Sequence, residues 1–160
     1  MHMDGIEIRE AREDDYGGLI ELLEAHAKYH ADMLPYYFRA AQQRSIWLDY
    51  IAKYNDPEKG KIVAAFDGGK IVGIFFGMLD KQTSPIAEQE VVGIVARAYV
   101  LESYRGKGIG QALFKSLLEW FKAKGVHLLI VRAVVGNDAA SGAWEKYGFK
   151  LQSYTYDMLI

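Results

Sequence analysis

The sequence predicts a mixed α/β (α+β) fold in which helices flank a central mixed, mostly antiparallel sheet. Three observations lead there. Two apolar runs meet at Asp67-Gly68-Gly69-Lys70, which is hairpin chemistry. Val91 to Leu101 (V-V-G-I-V-A-R-A-Y-V-L) reads as a strand buried on both faces, and it passes through a glycine-rich turn into an amphipathic helix. Leu128 to Val135 (L-L-I-V-R-A-V-V) reads as a second buried strand, so the helix between the two makes a right-handed parallel crossover. At 160 residues one domain, 1–160, is expected, long enough to bury a substantial core.

In chain order, Ile6 and Ile8 alternate with Glu7 and Arg9 as a short half-buried strand. Asp14 or Asp15 is then expected to cap a helix that carries Tyr16, Leu19, Ile20, Leu22, Leu23 and His26 on its packing face. The pattern loosens around Pro35, with Tyr36, Tyr37 and Phe38 in a row, and recovers as a helix holding Ile46, Trp47, Tyr50 and Ile51. The hairpin pairs Ile62 to Phe66 with Ile71 to Leu79, and Asp80 to Gln89 is a polar loop leading to the central strand. After the glycine-rich turn, Ile109, Ala112, Leu113, Ser116, Leu117 and Trp120 form one helical stripe that Gly125 stops. Asp138 to Tyr147 reads as a short helix ended by Gly148, and Phe149 to Ile160 alternates as a last strand.

Composition narrows the function. Hydrophobic residues at 51% against 25% charged describe a folded globular chain and exclude a disordered one. A net charge of −2 supplies no field to recruit nucleic acid, so none is expected as a partner. With no cysteine there is no disulfide, thiol nucleophile or thiolate metal site. No apolar run approaches the length of a membrane span and no signal-peptide pattern opens the chain, so a cytoplasmic protein without a membrane partner is expected.

The motif that carries chemistry is Tyr104 to Gly110, Y-R-G-K-G-I-G. Its glycines let the backbone approach a ligand without Cβ clashes, and the first N–H groups of the following helix point outward at an anion. Spacing decides among phosphate loops. No stretch fits G-x-x-x-x-G-K-[ST], and Gly106, Gly108 and Gly110 read G-x-G-x-G rather than the dinucleotide G-x-G-x-x-G. What fits is R-x-x-G-x-G, here Arg105, Gly108 and Gly110, after a strand ending in A-Y-V.

That wording resembles the acyl-CoA loop of the GNAT superfamily of N-acyltransferases, and the element order is similar to the family's over essentially the full chain. The resemblance implies a sheet splayed at the acyl-CoA strand pair. It implies that Arg105, Gly106, Lys107, Gly108, Ile109 and Gly110 hold the coenzyme A pyrophosphate. It implies further that backbone groups of Ala98, Tyr99 and Val100 bind pantetheine beside a strand bulge, one N–H serving as oxyanion donor. A second stretch, Asn137, Ala140, Trp144 and Gly148-Phe149, resembles the family's N-x-x-A-x-x-x-Y-x-x-x-G-F. By that likeness Asn137 caps its helix and touches the pantetheine arm, with Trp144 beside it. Trp144 stands where many relatives carry a tyrosine acid, and indole cannot protonate a thiolate near neutral pH. Tyr147, one turn on, is read as core packing, with catalysis as the alternative.

The carboxylates that several relatives carry on the central strand are also missing, since this chain reads Ala96-Arg97-Ala98-Tyr99-Val100. Glu90, Glu102, His26 and His30 are left as proton acceptors through water, with surface solvation the first reading of the two carboxylates. Two histidines make a weak metal signal, and no metal is expected. By its residues the aromatic connection is read first as packing over the core, but in the family it borders the acceptor site, which implies Tyr29, His30, Tyr36 and Tyr37 as its wall. Arg97 either faces solvent or welcomes an acceptor that bears a carboxylate. The expected activity is transfer of an acetyl group from acetyl-CoA to a primary amine of a small molecule or peptide. The alternative is a catalytically idle acyl-CoA-binding module. A homodimer is a further expectation, because the family often dimerises.

Overall fold

Two glycines set the middle of the sheet. Gly68 and Gly69 have φ of 54° and 87°, the left-handed pair that a two-residue hairpin turn demands. They join β3 (Gly60–Asp67) to β4 (Lys70–Lys81) with Asp67 opposite Lys70, in the computed structural model, which describes residues 2–3, 5–36 and 42–160. Around this hairpin the sheet runs in chain order: β1 (His2–Met3), β2 (Ile6–Glu10), β3, β4, β5 (Val91–Val100) and β6 (Leu129–Val131). Every neighbouring pair is antiparallel except β5 and β6, which are parallel, as a helical crossover requires.

Helices cover both faces, as the two-sided apolar strands call for. On one face α3 (Ile109–Ala123) lays Ile109, Leu113, Leu117 and Phe121 against Val63, Val72, Phe75 and Val95. On the other, α1 (Tyr16–Met33) and α2 (Arg44–Tyr54) bring Leu19, Leu23, Trp47 and Ile51 to Ile62, Ile74 and Phe76. Burying such side chains stabilises by about 1.5–3 kcal/mol each. α3 also lies close enough to the sheet that strand glycines become necessary. A Cβ at Gly77 would meet Leu117 at 2.6 Å and Phe121 at 2.9 Å.

Three expectations change. Asp15 does stand at the N-cap position of α1, but its side chain does not cap the helix. Its carboxylate instead accepts from Arg9 Nη1 and Nη2 at 2.7 and 2.9 Å and from the Arg12 N–H at 2.7 Å. The strand expected over Leu128 to Val135 shrinks to Leu129–Val131, because β5 offers it only Gly93 to Val95 as partners. The strand expected over Phe149 to Ile160 does not form, and residues 151–160 are exposed throughout. Alternation gives a segment two faces but supplies no neighbour to pair with. Tyr37 and Phe38 lie outside the described residues.

Replacing Gly77 by valine is expected to destabilise the fold by about 1–3 kcal/mol through overpacking against α3. Urea unfolding of the variant beside the parent protein checks it.

Candidate active site

One extra residue in β5 creates the site. Opposite β4, Arg97 pairs with Phe76 while Val95 pairs with Gly77, so Ala96 is a bulge. A bulge bends its strand and raises the local twist. On its other edge β5 pairs with β6 only through Gly93, Ile94 and Val95, matched to Leu129, Ile130 and Val131. From Ala96 to Val100 that edge carries no ladder, and the two parallel strands part. Ala98, Tyr99 and Val100, singled out from the sequence, lie on this unladdered edge.

The glycine-rich turn closes the end of β5. A short 3₁₀ turn, Glu102–Tyr104, is tied back to the hairpin by a 2.8 Å hydrogen bond from the Tyr104 hydroxyl to Asp67. Gly106 and Gly108 then take φ of 74° and 82°, where a side chain would be strained. Gly108 is the N-cap of α3 and gives no side-chain cap, so the first amides of the helix have no intrahelical acceptor. A Cβ added at Gly106 would meet nothing within 4 Å, so that part of the turn opens outward. Arg105 donates its Nε–H to the Val100 carbonyl at 2.9 Å, and its guanidinium lies 5.5 Å from the rings of both Tyr29 and Tyr99. Lys107 sits over the Tyr104 ring at 5.1 Å. The turn therefore combines unpaired amides, two cations and the positive end of a helix, which is an anion site of good chemical fit for a pyrophosphate.

Two helices frame the gap. Asn137 is the N-cap of α4 (Asp138–Lys146), its Oδ1 accepting from the Ala140 N–H at 3.2 Å, as expected from the sequence. The same oxygen accepts from the Tyr29 hydroxyl at 3.4 Å, which links α1 to α4. Trp144 is only 8% exposed and packs on Phe75, Phe114 and Phe149, so its ring is a core residue rather than an open contact for the gap. Tyr147 stacks on Phe114 at 4.9 Å, yet its hydroxyl reaches the start of α3, where a Cβ added at Gly110 would lie 3.1 Å from it. Burial raises the Tyr147 pKa, so the hydroxyl keeps its proton.

On the α1 and α2 side, His26 is buried and stacks on Tyr99 at 5.0 Å, with His30 one turn along at 4.3 Å. Burial, then electrostatic interaction with His30, which disfavours charging both rings, and the positive charges of Arg97 and Arg105, pushes His26 down to about 3. Burial followed by Arg97 also lowers His30. Both rings are thus neutral near neutral pH. Tyr36 is exposed and donates to Asp157 at 3.4 Å. Tyr50, which the sequence placed on the second helix, lies under the Arg97 guanidinium at 5.4 Å. Its spacing from Trp47 and Ile51 offered no signal of that contact, because the pair forms across elements.

A family profile described as Acetyltransferase (GNAT) family matches residues 19–149. The chain is 33% identical over 88 residues to a mycothiol acetyltransferase of Corynebacterium efficiens, 55% of this chain and 27% of that protein. It is 36% identical over 53 residues to an L-methionine sulfoximine/L-methionine sulfone acetyltransferase of Pseudomonas aeruginosa, 33% of this chain and 31% of that protein. The matched stretches thus span about a third or less of these curated relatives. Among solved structures, an aminoglycoside 6'-N-acetyltransferase of Acinetobacter haemolyticus superposes with TM-score 0.76 at 14% identity, over 96% of this chain and 97% of that one. Another aminoglycoside N-acetyltransferase, solved with a coenzyme A bisubstrate analogue, reaches TM-score 0.73 at 14% identity, over 97% of this chain and 99% of that one. These likenesses concern the fold. The bulged and parted strand pair, the glycine-rich turn and the profile match agree, and the chain belongs to the GNAT acetyltransferase family.

Proposed function

We propose that the chain is an acetyl-CoA-dependent N-acetyltransferase that passes the acetyl group directly to a primary amine of a small molecule or peptide. The observation that carries this reading is the unladdered edge of β5 from Ala96 to Val100, which runs into the uncapped start of α3. A chain of amide groups such as pantetheine can pair with that edge as an added strand, while the turn from Arg105 to Gly110 grips the diphosphate. Acetyl-CoA, when bound, supplies the thioester acyl group.

The protein's own contributions follow from position. Holding amine and thioester in line can lower the barrier by about 7–11 kcal/mol. A β5 N–H facing the gap can stabilise charge growing on the carbonyl oxygen, worth roughly 3–4 kcal/mol in comparable sites. Tyr147, with its proton retained, is suited to donate toward the departing sulfur near the start of α3. His30, neutral and partly open, is suited to accept the amine proton through water. His26 is too strongly depressed for that role and instead supports the Tyr99 ring. The Pseudomonas aeruginosa relative, an acetyltransferase of L-methionine sulfoximine and L-methionine sulfone, points to amino acid derivatives as one acceptor class for this chain. An idle acyl-CoA-binding module is the other reading, favoured by Trp144 at the usual acid position and by the missing carboxylates on the central strand.

Release of free thiol from acetyl-CoA across an amine panel decides between the two; binding without turnover of any amine leaves the idle module. Gly108→Val is expected to weaken coenzyme A binding at least tenfold by calorimetry, since its φ of 82° and the close backbone approach are both lost. Tyr147→Phe is expected to lower kcat by about tenfold or more with the KM for acetyl-CoA unchanged; an unaltered kcat returns Tyr147 to packing alone.

His26 also predicts a pH dependence of stability. Its folded pKa, about 3, lies below the ordinary 6.5, so between these values the unfolded chain binds a proton that the native one does not. Stability therefore rises with pH across this window, is complete above 6.5 and is lost as pH falls toward 3. Melting temperatures measured from pH 7 to pH 4 should fall less steeply in His26→Leu than in the parent protein.

A further inference from the structure

The bulge at Ala96 decides where Arg97 points. In an unbroken strand Arg97 would share a face with Val95, which is buried under α3. The extra residue instead sets Arg97 opposite Phe76, whose ring lies in the cluster beneath α1 and α2. Arg97 therefore stands on the α1 and α2 side of the sheet rather than fully in solvent. The side chain is half-buried, its guanidinium 5.4 Å from the Tyr50 ring and one N–H donating to the Ala96 carbonyl at 3.5 Å.

None of these partners supplies a negative charge. Burial raises the Tyr50 pKa, so its hydroxyl stays neutral. His26 and His30 face the same cluster as neutral rings. The ion pairs among the described residues involve Arg9, Lys28 and Lys61, and neither Arg97 nor Arg105 has a carboxylate partner there. A half-buried guanidinium without a counter-charge is costly, and an incoming carboxylate can meet its fork with two parallel hydrogen bonds. The other face of β5 is closed, because Ala98 and Val100 pack against the cluster under α3. An acceptor that reaches the parted strands from the open side therefore passes Arg97.

We propose that Arg97 binds the carboxylate of the acceptor, so that the preferred acceptors carry amine and carboxylate on one small molecule, as free amino acids do. This rests on the acyl-transfer reading. It accounts for a cation in the stretch that faces the gap, and it disfavours polyamines, whose further positive charges Arg97 and Arg105 would repel.

The test compares free amino acids with their amides, their decarboxylated amines and spermidine, using acetyl-CoA as donor. The expected result is at least a tenfold higher kcat/KM for each acid than for its amide. Arg97→Ala should erase that preference by raising the KM of the acid, with the KM for acetyl-CoA unchanged. Arg97→Lys should restore it only in part, since a lysine lacks the planar fork. Equal rates for acid and amide, a preference for spermidine, or an undiminished preference in Arg97→Ala would overturn the assignment. Where no amine turns over, calorimetric titration of acid and amide into the coenzyme-A-loaded protein reads the same preference, and equal affinities overturn it. Absence of coenzyme A binding is a separate result, which removes the acyl-transfer reading itself.

Discussion

The insertion of Ala96 into β5 is the constraint on which the site depends. A regular ladder would continue the parallel pairing of β5 and β6 and fill the edge that a ligand needs. The bulge ends it at Val95 and Val131, and the same kink turns Arg97 from one face of the sheet to the other. One backbone irregularity thus coincides with an unladdered edge of β5 and sets a cation on the α1 and α2 side of the sheet.

The remainder of the fold holds that irregularity in place. Antiparallel pairing with β4 runs along β5 from Val91 to Val100, so the kinked strand is fixed along one edge while the other stays open. The hairpin turn is connected to the loop through Asp67 and Tyr104, and Leu101 donates to the Val72 carbonyl at 2.9 Å. Beneath them α3 packs closely against strand glycines. The loop amides are consequently presented from a rigid base, and a rigid base lowers the entropy lost on binding.

Charge completes the picture. The chain as a whole is slightly acidic, yet the described residues around the gap include Arg97, Arg105 and Lys107 without ion-pair partners. The histidines beside them are kept neutral by burial, which avoids adding further positive charge and leaves a lone pair for proton transfer. Bulk net charge gave no hint of this, because a local field depends on which cations converge.

Local sequence patterns determined much of this protein. The glycine pair of the hairpin, the buried runs around the loop and the stripe of α3 are all read from neighbours in the chain, since each depends on backbone preferences over a few residues. So is the R-x-x-G-x-G turn, whose shape lies in its backbone. The Asn137 cap followed from the family likeness. Tertiary structure alone decided the rest. The extent of β6 depended on where β5 kinked, the terminal run found no strand to pair with, and Trp144 was drawn into a core that its helix spacing left open. The facing of Arg97 is the clearest case. Alternation assigns faces by counting residues, and a bulge changes the count without leaving a mark in the residues that make it.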